Sequence, residues 1–78
     1  MKLSTIKNAA NKLGLVDSRE VEMTDGRTGL MVNLTYTDQS GKCRPVHSSL
    51  DGGLIKWCRR YKINFEYRGY YTSLLIYA

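Results

Sequence analysis

The first part of the chain repeats apolar side chains at the spacing of an α-helix. In the stretch "STIKNAANKLGL" the positions i, i+3, i+4 and i+7 form one apolar stripe, occupied by Ile6, Ala9, Ala10 and Leu13. Ser4 precedes the stripe and is a favourable N-cap residue, while Gly14 can adopt the left-handed conformation that ends a helix. The pattern predicts a helix over residues 4–13.

The middle of the chain alternates apolar and polar residues, as half-buried strands do. Val21 and Met23 share one side of "REVEMT", and "LMVNLTYT" is predicted to turn Leu30, Val32, Leu34 and Tyr36 inward. Turn-forming residues fill "DGRTG" and "DQSGK", and "CRPVHS" predicts a third strand. Pro45 cannot donate to a ladder and so places that strand at an edge. We expect residues 19–48 to form a three-stranded antiparallel meander.

A second helical period precedes a predicted C-terminal hairpin. One side of residues 50–61 is apolar and is occupied by Leu50, Leu54, Trp57, Cys58 and Tyr61. The stretch "INFEYRGYYTSLLIYA" predicts two strands around Arg68 and Gly69, with Tyr67 opposite Tyr70. The order α-β-β-β-α-β-β predicts a single small α+β domain, with both helices on one face of an antiparallel sheet of four or five strands.

Length and composition narrow the class of protein. A chain of 78 residues with 42% hydrophobic and 24% charged residues is typical of one folded domain with a small core. Two cysteines are too few for a disulfide framework, and no stretch is apolar enough for a signal peptide or a membrane span. These features predict a cytoplasmic protein.

The net charge of +5 is concentrated at the two ends of the sequence. Residues 1–14 hold three lysines and no acid, and residues 50–78 hold five cations and two acids, whereas the middle is slightly acidic. If the ends meet in space, they form one positive face that favours anionic partners. The cations predicted to contact phosphate groups or another anionic partner are Lys7, Lys12, Lys56, Arg59, Arg60, Lys62 and Arg68.

The predicted hairpin has a second face that is too apolar to be left in water. Its inward face is predicted to carry Ile63, Phe65, Leu74 and Ile76, and its outward face Tyr71, Leu75 and Tyr77. A homodimer, another macromolecule or part of this chain must cover these outward side chains. Tyrosine is common at protein interfaces, so this face is the candidate protein interface.

The sequence does not predict a catalytic, metal or cofactor site. Cys43 and His47 lie about 13 Å apart along a predicted strand, without a CxxC knuckle or a fourth zinc ligand. Cys58 falls on the apolar side of its helix, where a thiol serves packing. We therefore expect no enzyme activity, no metal and no cofactor.

Two functional hypotheses follow from these surfaces. The first is a non-enzymatic binding protein whose basic surface engages nucleic acid or a nucleic-acid-handling protein complex. The alternative is a protein–protein inhibitor or adaptor that acts through the tyrosine-rich hairpin, for example a phage-encoded, anti-CRISPR-like inhibitor of a bacterial defence complex. Charge favours the first hypothesis, and the apolar hairpin face favours the second.

Overall fold

The computed structural model describes residues 2–77. Within these residues, two helices and six strands follow one another: α1 (Leu3–Lys12), β1 (Ser18–Glu22), β2 (Thr28–Asn33), β3 (Thr35–Thr37), β4 (Cys43–Pro45), α2 (Ser48–Arg60), β5 (Asn64–Arg68) and β6 (Ser73–Tyr77). The predicted α+β class is confirmed. None of the helices in this part of the chain is long and apolar enough to cross a membrane.

The strands form two antiparallel sheets. Four of them make the main sheet in the order β1-β2-β6-β5, and β3 and β4 pair separately as a short ribbon. The prediction of a meander over 19–48 is therefore wrong. β2 pairs on its second side with the C-terminal strand, with Val32 opposite Leu74, instead of with the next strand along the chain.

The predicted second strand divides because Asn33 redirects the backbone. The side-chain Nδ2 of Asn33 donates to the carboxylate of Asp17 at 2.8 Å, and the side-chain Oδ1 of Asn33 accepts from the backbone N–H of Thr35 at 2.9 Å. Between the two sheets, the N–H of Leu34 donates to the carbonyl of Thr72. Leu34 is buried as predicted, whereas Tyr36 is exposed on the ribbon and not turned inward.

Both helices lie on one face of the main sheet and enclose the core. Its fully buried members include Ile6 and Ala10 of α1, Leu54 and Cys58 of α2, and the strand residues Leu30, Val32, Leu74 and Ile76. Leu13, Trp57 and Phe65, predicted to be buried, are only partly covered and pack at the margin of this core. The apolar stripes therefore have the predicted phase, but these three predicted core residues lie at the margin of the core.

The helix ends differ from the prediction at their N-termini. α1 begins before Ser4, with Lys2 at the N-cap and no side-chain cap. α2 begins at Ser48, where the Nδ1 atom of His47 accepts a hydrogen bond from the N–H of Ser49 at 3.1 Å. The C-terminus of α1 is as predicted, since Gly14 has a φ of 92° and the chain folds back there.

The C-terminal hairpin forms with a longer connection than predicted. Tyr67 pairs with Leu74 and Arg68 with Ser73, so residues 69–72 form the connection. The register differs from the prediction by an even number of residues, which keeps the side chains that remain in the two strands on their expected faces. Thr72 closes the connection by donating from its N–H and its hydroxyl to the carbonyl of Gly69.

Candidate functional site

A groove lies between the two helices. It encloses about 420 Å³ and is lined by Thr5, Asn8, Ala9, Lys12 and Leu13 from one side and by Gly53, Trp57 and Tyr61 from the other. The helices approach closely at Gly53, where a Cβ atom would lie 3.4 Å from a methyl group of Leu13. The absence of a side chain at Gly53 keeps this end of the groove open.

Two aromatic rings form one wall of the groove. The centroids of Trp57 and Tyr61 are 5.0 Å apart, with the ring planes tilted by 49°. The prediction that both rings belong to the core is wrong for Tyr61, which is 47% exposed, whereas Trp57 is partly buried and packs at the margin of the core. α2 ends at Arg60, so Tyr61 no longer follows the helical stripe and remains beside the groove.

Cations flank the same wall. Lys56 and Arg60 are exposed and lie one helical turn apart on α2. Lys56 is three positions after Gly53, and Arg60 is three positions after Trp57, so each cation is a neighbour of a groove residue on the helix surface. The guanidinium of Arg60 lies 5.6 Å from the centroid of Tyr61. On the opposite wall, Lys12 lines the groove directly.

Other predicted contact residues lie away from the groove. Lys7 is five positions before Lys12, about 140° around α1, and does not line the groove. Arg59 extends over Phe65 of β5, with its guanidinium 5.8 Å from the ring centroid. Lys62 is exposed beyond the end of α2, in the left-handed region with a φ of 56°. The predicted cations therefore do not form one continuous surface.

The ion pairs within the described residues involve arginines outside the two helices. The three salt bridges between described residues join Arg27 to Asp25, Arg44 to Asp38 and Arg68 to Glu66. Arg68 lies on the sheet face away from the helices, near Met31 and Leu75, and its guanidinium is paired with Glu66 at 2.7 Å, so it is not part of the groove. Within residues 2–77, the helix cations Lys7, Lys12, Lys56, Arg59 and Arg60 form no salt bridge. None of the groove-lining side chains is acidic.

The predicted protein interface does not exist as a single face. Leu75 is only 3% exposed, and it lies against Gly29 together with Met23, so this chain itself covers it. The ring of Tyr77 is partly covered by Arg27, whose guanidinium lies 4.9 Å from its centroid. Tyr71 is in the hairpin connection, with its ring 4.8 Å from that of Tyr67.

The hairpin connection exposes two tyrosines that the sequence placed differently. Tyr70 is fully exposed and Tyr71 is 73% exposed, and both have positive φ values of 56° and 69°. Tyr67 beside them is anchored, because its hydroxyl donates to Asp51 of α2 at 2.9 Å. The exposed tyrosines are thus at the hairpin tip, far along the strands from Leu75 and Tyr77.

The cysteines and the histidine have structural surroundings. Burial raises the pKa of the Cys58 thiol to about 11, which keeps it protonated and unreactive at neutral pH. Cys43 is exposed on the ribbon, and His47 caps α2. In the part of the chain that the structure describes, no three His, Cys, Asp or Glu side chains are grouped so as to hold a metal ion.

The groove is the feature that the sequence did not predict, although its cations were named. The adjacent glycines at 52 and 53 indicated that another element passes close to the backbone there, but the sequence did not show which element this is. Comparison with protein-family models, with curated proteins and with solved structures finds no match for this chain.

Proposed function

We propose that this protein is a non-enzymatic binding protein that engages nucleic acid through the groove between α1 and α2. The observation that carries the proposal is the partly exposed Trp57–Tyr61 pair, set among cations that have no carboxylate partner within the described chain. Lys12, Lys56 and Arg60 are the phosphate contacts, and the two rings are the contacts for bases.

Both kinds of contact are energetically suited to this ligand. A base stacked on an aromatic side chain contributes about 1–3 kcal/mol to the binding free energy, whichever base it is. Lysine attracts phosphate as a point charge, while arginine grips it with two parallel hydrogen bonds. Since such contacts do not read base edges, we propose binding with little sequence preference.

The tryptophan offers a direct test, because Trp57 is the only one in the chain. Adding a mixed-sequence single-stranded oligonucleotide at low salt should quench its fluorescence, and the affinity should fall steeply as salt rises and counterions compete for the phosphates. Unchanged fluorescence together with no retention on a DNA column at low salt would contradict the proposal.

A matched pair of lysine variants locates the contact on α1. Lys12→Ala removes a cation that lines the groove, whereas Lys7→Ala removes another exposed cation from a different side of the same helix. Lys12→Ala should weaken binding several-fold and reduce the salt dependence by about one phosphate contact, with Lys7→Ala close to wild type. Equal losses in both variants would indicate attraction to overall charge and not binding in the groove.

A second candidate function rests on the hairpin tip. Tyr70 and Tyr71 expose large rings in a conformation that bulky residues rarely adopt, and such strain is often found at binding sites. A protein-binding inhibitor or adaptor would use this tip instead of the predicted strand face. Double substitution of Tyr70 and Tyr71 by Ala leaves nucleic-acid binding intact under the first proposal and abolishes partner binding under the second.

A further inference from the structure

Resting on the proposed function, we infer that the groove selects single-stranded over duplex nucleic acid by taking one unstacked base against Trp57 and Tyr61. Three features of the groove carry this inference: the accessible face of the aromatic pair, the unpaired polar side chains of the facing wall, and the position of the cations at its rims.

The aromatic wall requires a ligand with an open face. The ring centroids of Trp57 and Tyr61 are only 5.0 Å apart and the ring planes are tilted, so no base fits between the two rings. A base must instead lie against the sides of the rings that line the groove. In a duplex, both faces of every internal base are covered by its neighbours, whereas single strands can turn a base outward onto an aromatic side chain.

The facing wall supplies hydrogen-bonding groups without charge. Thr5 and Asn8 line the groove from α1. Within residues 2–77 neither side chain is engaged in a hydrogen bond. The Asn8 amide has two donor hydrogens and an acceptor oxygen, and the Thr5 hydroxyl can donate and accept. These groups can pair with the donors and acceptors on the edge of a nucleobase.

The cations are placed for the flanking backbone. Lys12 lines the wall formed by α1, and Arg60 lies beside Tyr61 on the other wall. A strand that crosses the groove with one base turned inward meets a cation on each side of that base. Ala9 and Gly53 keep the space between the walls free of bulky side chains.

The experiment compares three oligomers of equal length and equal charge per strand: oligothymidylate, an abasic strand, and a duplex containing the same thymidylate strand. Binding is followed by the anisotropy of a terminal dye and by Trp57 fluorescence. We expect oligothymidylate to bind roughly tenfold more tightly than the abasic strand, and it alone should quench Trp57 strongly. The duplex should bind weakly and leave the fluorescence nearly unchanged.

Two variants separate a base contact from a general effect. Tyr61→Ala removes a half-exposed ring beyond the end of α2 and should lower the affinity for oligothymidylate towards that for the abasic strand. Tyr70→Ala removes a fully exposed ring at the hairpin tip and should change neither the affinity for oligothymidylate nor the affinity for the abasic strand. Circular dichroism confirms that both variants remain folded.

The outcomes also distinguish the two proposals. Equal affinity for all three oligomers, each salt-sensitive, would overturn the base-selective groove while leaving a nucleic-acid-binding protein. Failure of every oligomer to bind at low salt would overturn the proposed function as well. An unchanged preference for oligothymidylate in Tyr61→Ala, with Trp57 unquenched, would place the base contact elsewhere on the protein.

Discussion

Tyr70 shows how a single residue can depart from what its type prefers. Gly69, Tyr70 and Tyr71 have successive φ values of 59°, 56° and 69°, a region that costs bulky side chains about 1–3 kcal/mol each. The ring of Tyr70 is fully exposed, so no packing within the described chain offsets this cost. A two-residue turn at Arg68 and Gly69 was predicted, with Tyr67 opposite Tyr70. Nothing in the local sequence indicates that two tyrosines follow Gly69 in the left-handed region.

Replacing Tyr70 by Gly should therefore stabilise the fold. Glycine adopts positive φ without steric cost, although it also increases the freedom of the unfolded chain, so we expect a net gain of about 1 kcal/mol. Gly69→Ala is the opposing control, because its Cβ would lie 2.6 Å from the hydroxyl of Thr72 and would destabilise the turn. Urea-induced unfolding measures the free energy of unfolding of both variants against wild type. A loss of stability in Tyr70→Gly would mean that the ring packs in solution.

At the scale of elements, helices were predicted more accurately than strand partners. A helix is determined by neighbours three and four positions apart, so its stripe and its approximate ends can be read locally. Strand pairing depends on contacts between distant segments, and Met31 finds its second partner in Leu75 at the far end of the chain. The alternation at Leu30 and Val32 correctly indicated a buried face, but no local pattern shows which strand lies beside it.

The adjacent glycines of α2 provide a test of helix packing. A Cβ added at Gly52 meets nothing within 4 Å, whereas one at Gly53 meets Leu13 at 3.4 Å. Gly52→Ala should thus stabilise the protein by about 1 kcal/mol through helix propensity alone. Gly53→Ala should gain more, because its methyl group would also make an ordinary van der Waals contact with Leu13 across the helix interface. Thermal unfolding of the two variants decides this, and an equal gain in both would show that the helices do not meet at Gly53.

The β3–β4 ribbon should respond to acid through Asp38. Hydrogen bonds from Ser40 and Arg44 hold the pKa of this carboxyl at about 2, below its ordinary 3.8. A folded-state pKa that is lowered stabilises the fold above the unfolded pKa, and this contribution is lost as the pH falls through about 4 towards 2. The unfolding midpoint of Asp38→Asn should lie below that of wild type at pH 6 and converge with it near pH 2. A constant difference across this range would refute the role of the carboxylate.

For the molecule as a whole, the sequence predicted which cations are exposed but not where they lie relative to one another. Hydrophobic periodicity correctly turned Lys56, Arg59 and Arg60 to solvent. It also assigned Trp57 and Tyr61 to the core, because their exposure depends on where α1 crosses α2 and where α2 ends. In the slightly acidic middle of the chain, Asp25 and Asp38 form ion pairs with the nearby Arg27 and Arg44. The helix side of the fold is left as its cationic side.

The central claim is that nucleic acid binds in the groove between the helices, and a map of amide chemical shifts tests it most directly. Titration of ¹⁵N-labelled protein with a single-stranded oligonucleotide should shift the signals of Asn8, Lys12 and Gly53 and the indole N–H of Trp57. Signals of Met31 on the opposite sheet face and of Tyr70 at the hairpin tip should not move. Shifts confined to the hairpin tip or the sheet face, with the groove signals unchanged, would contradict the account.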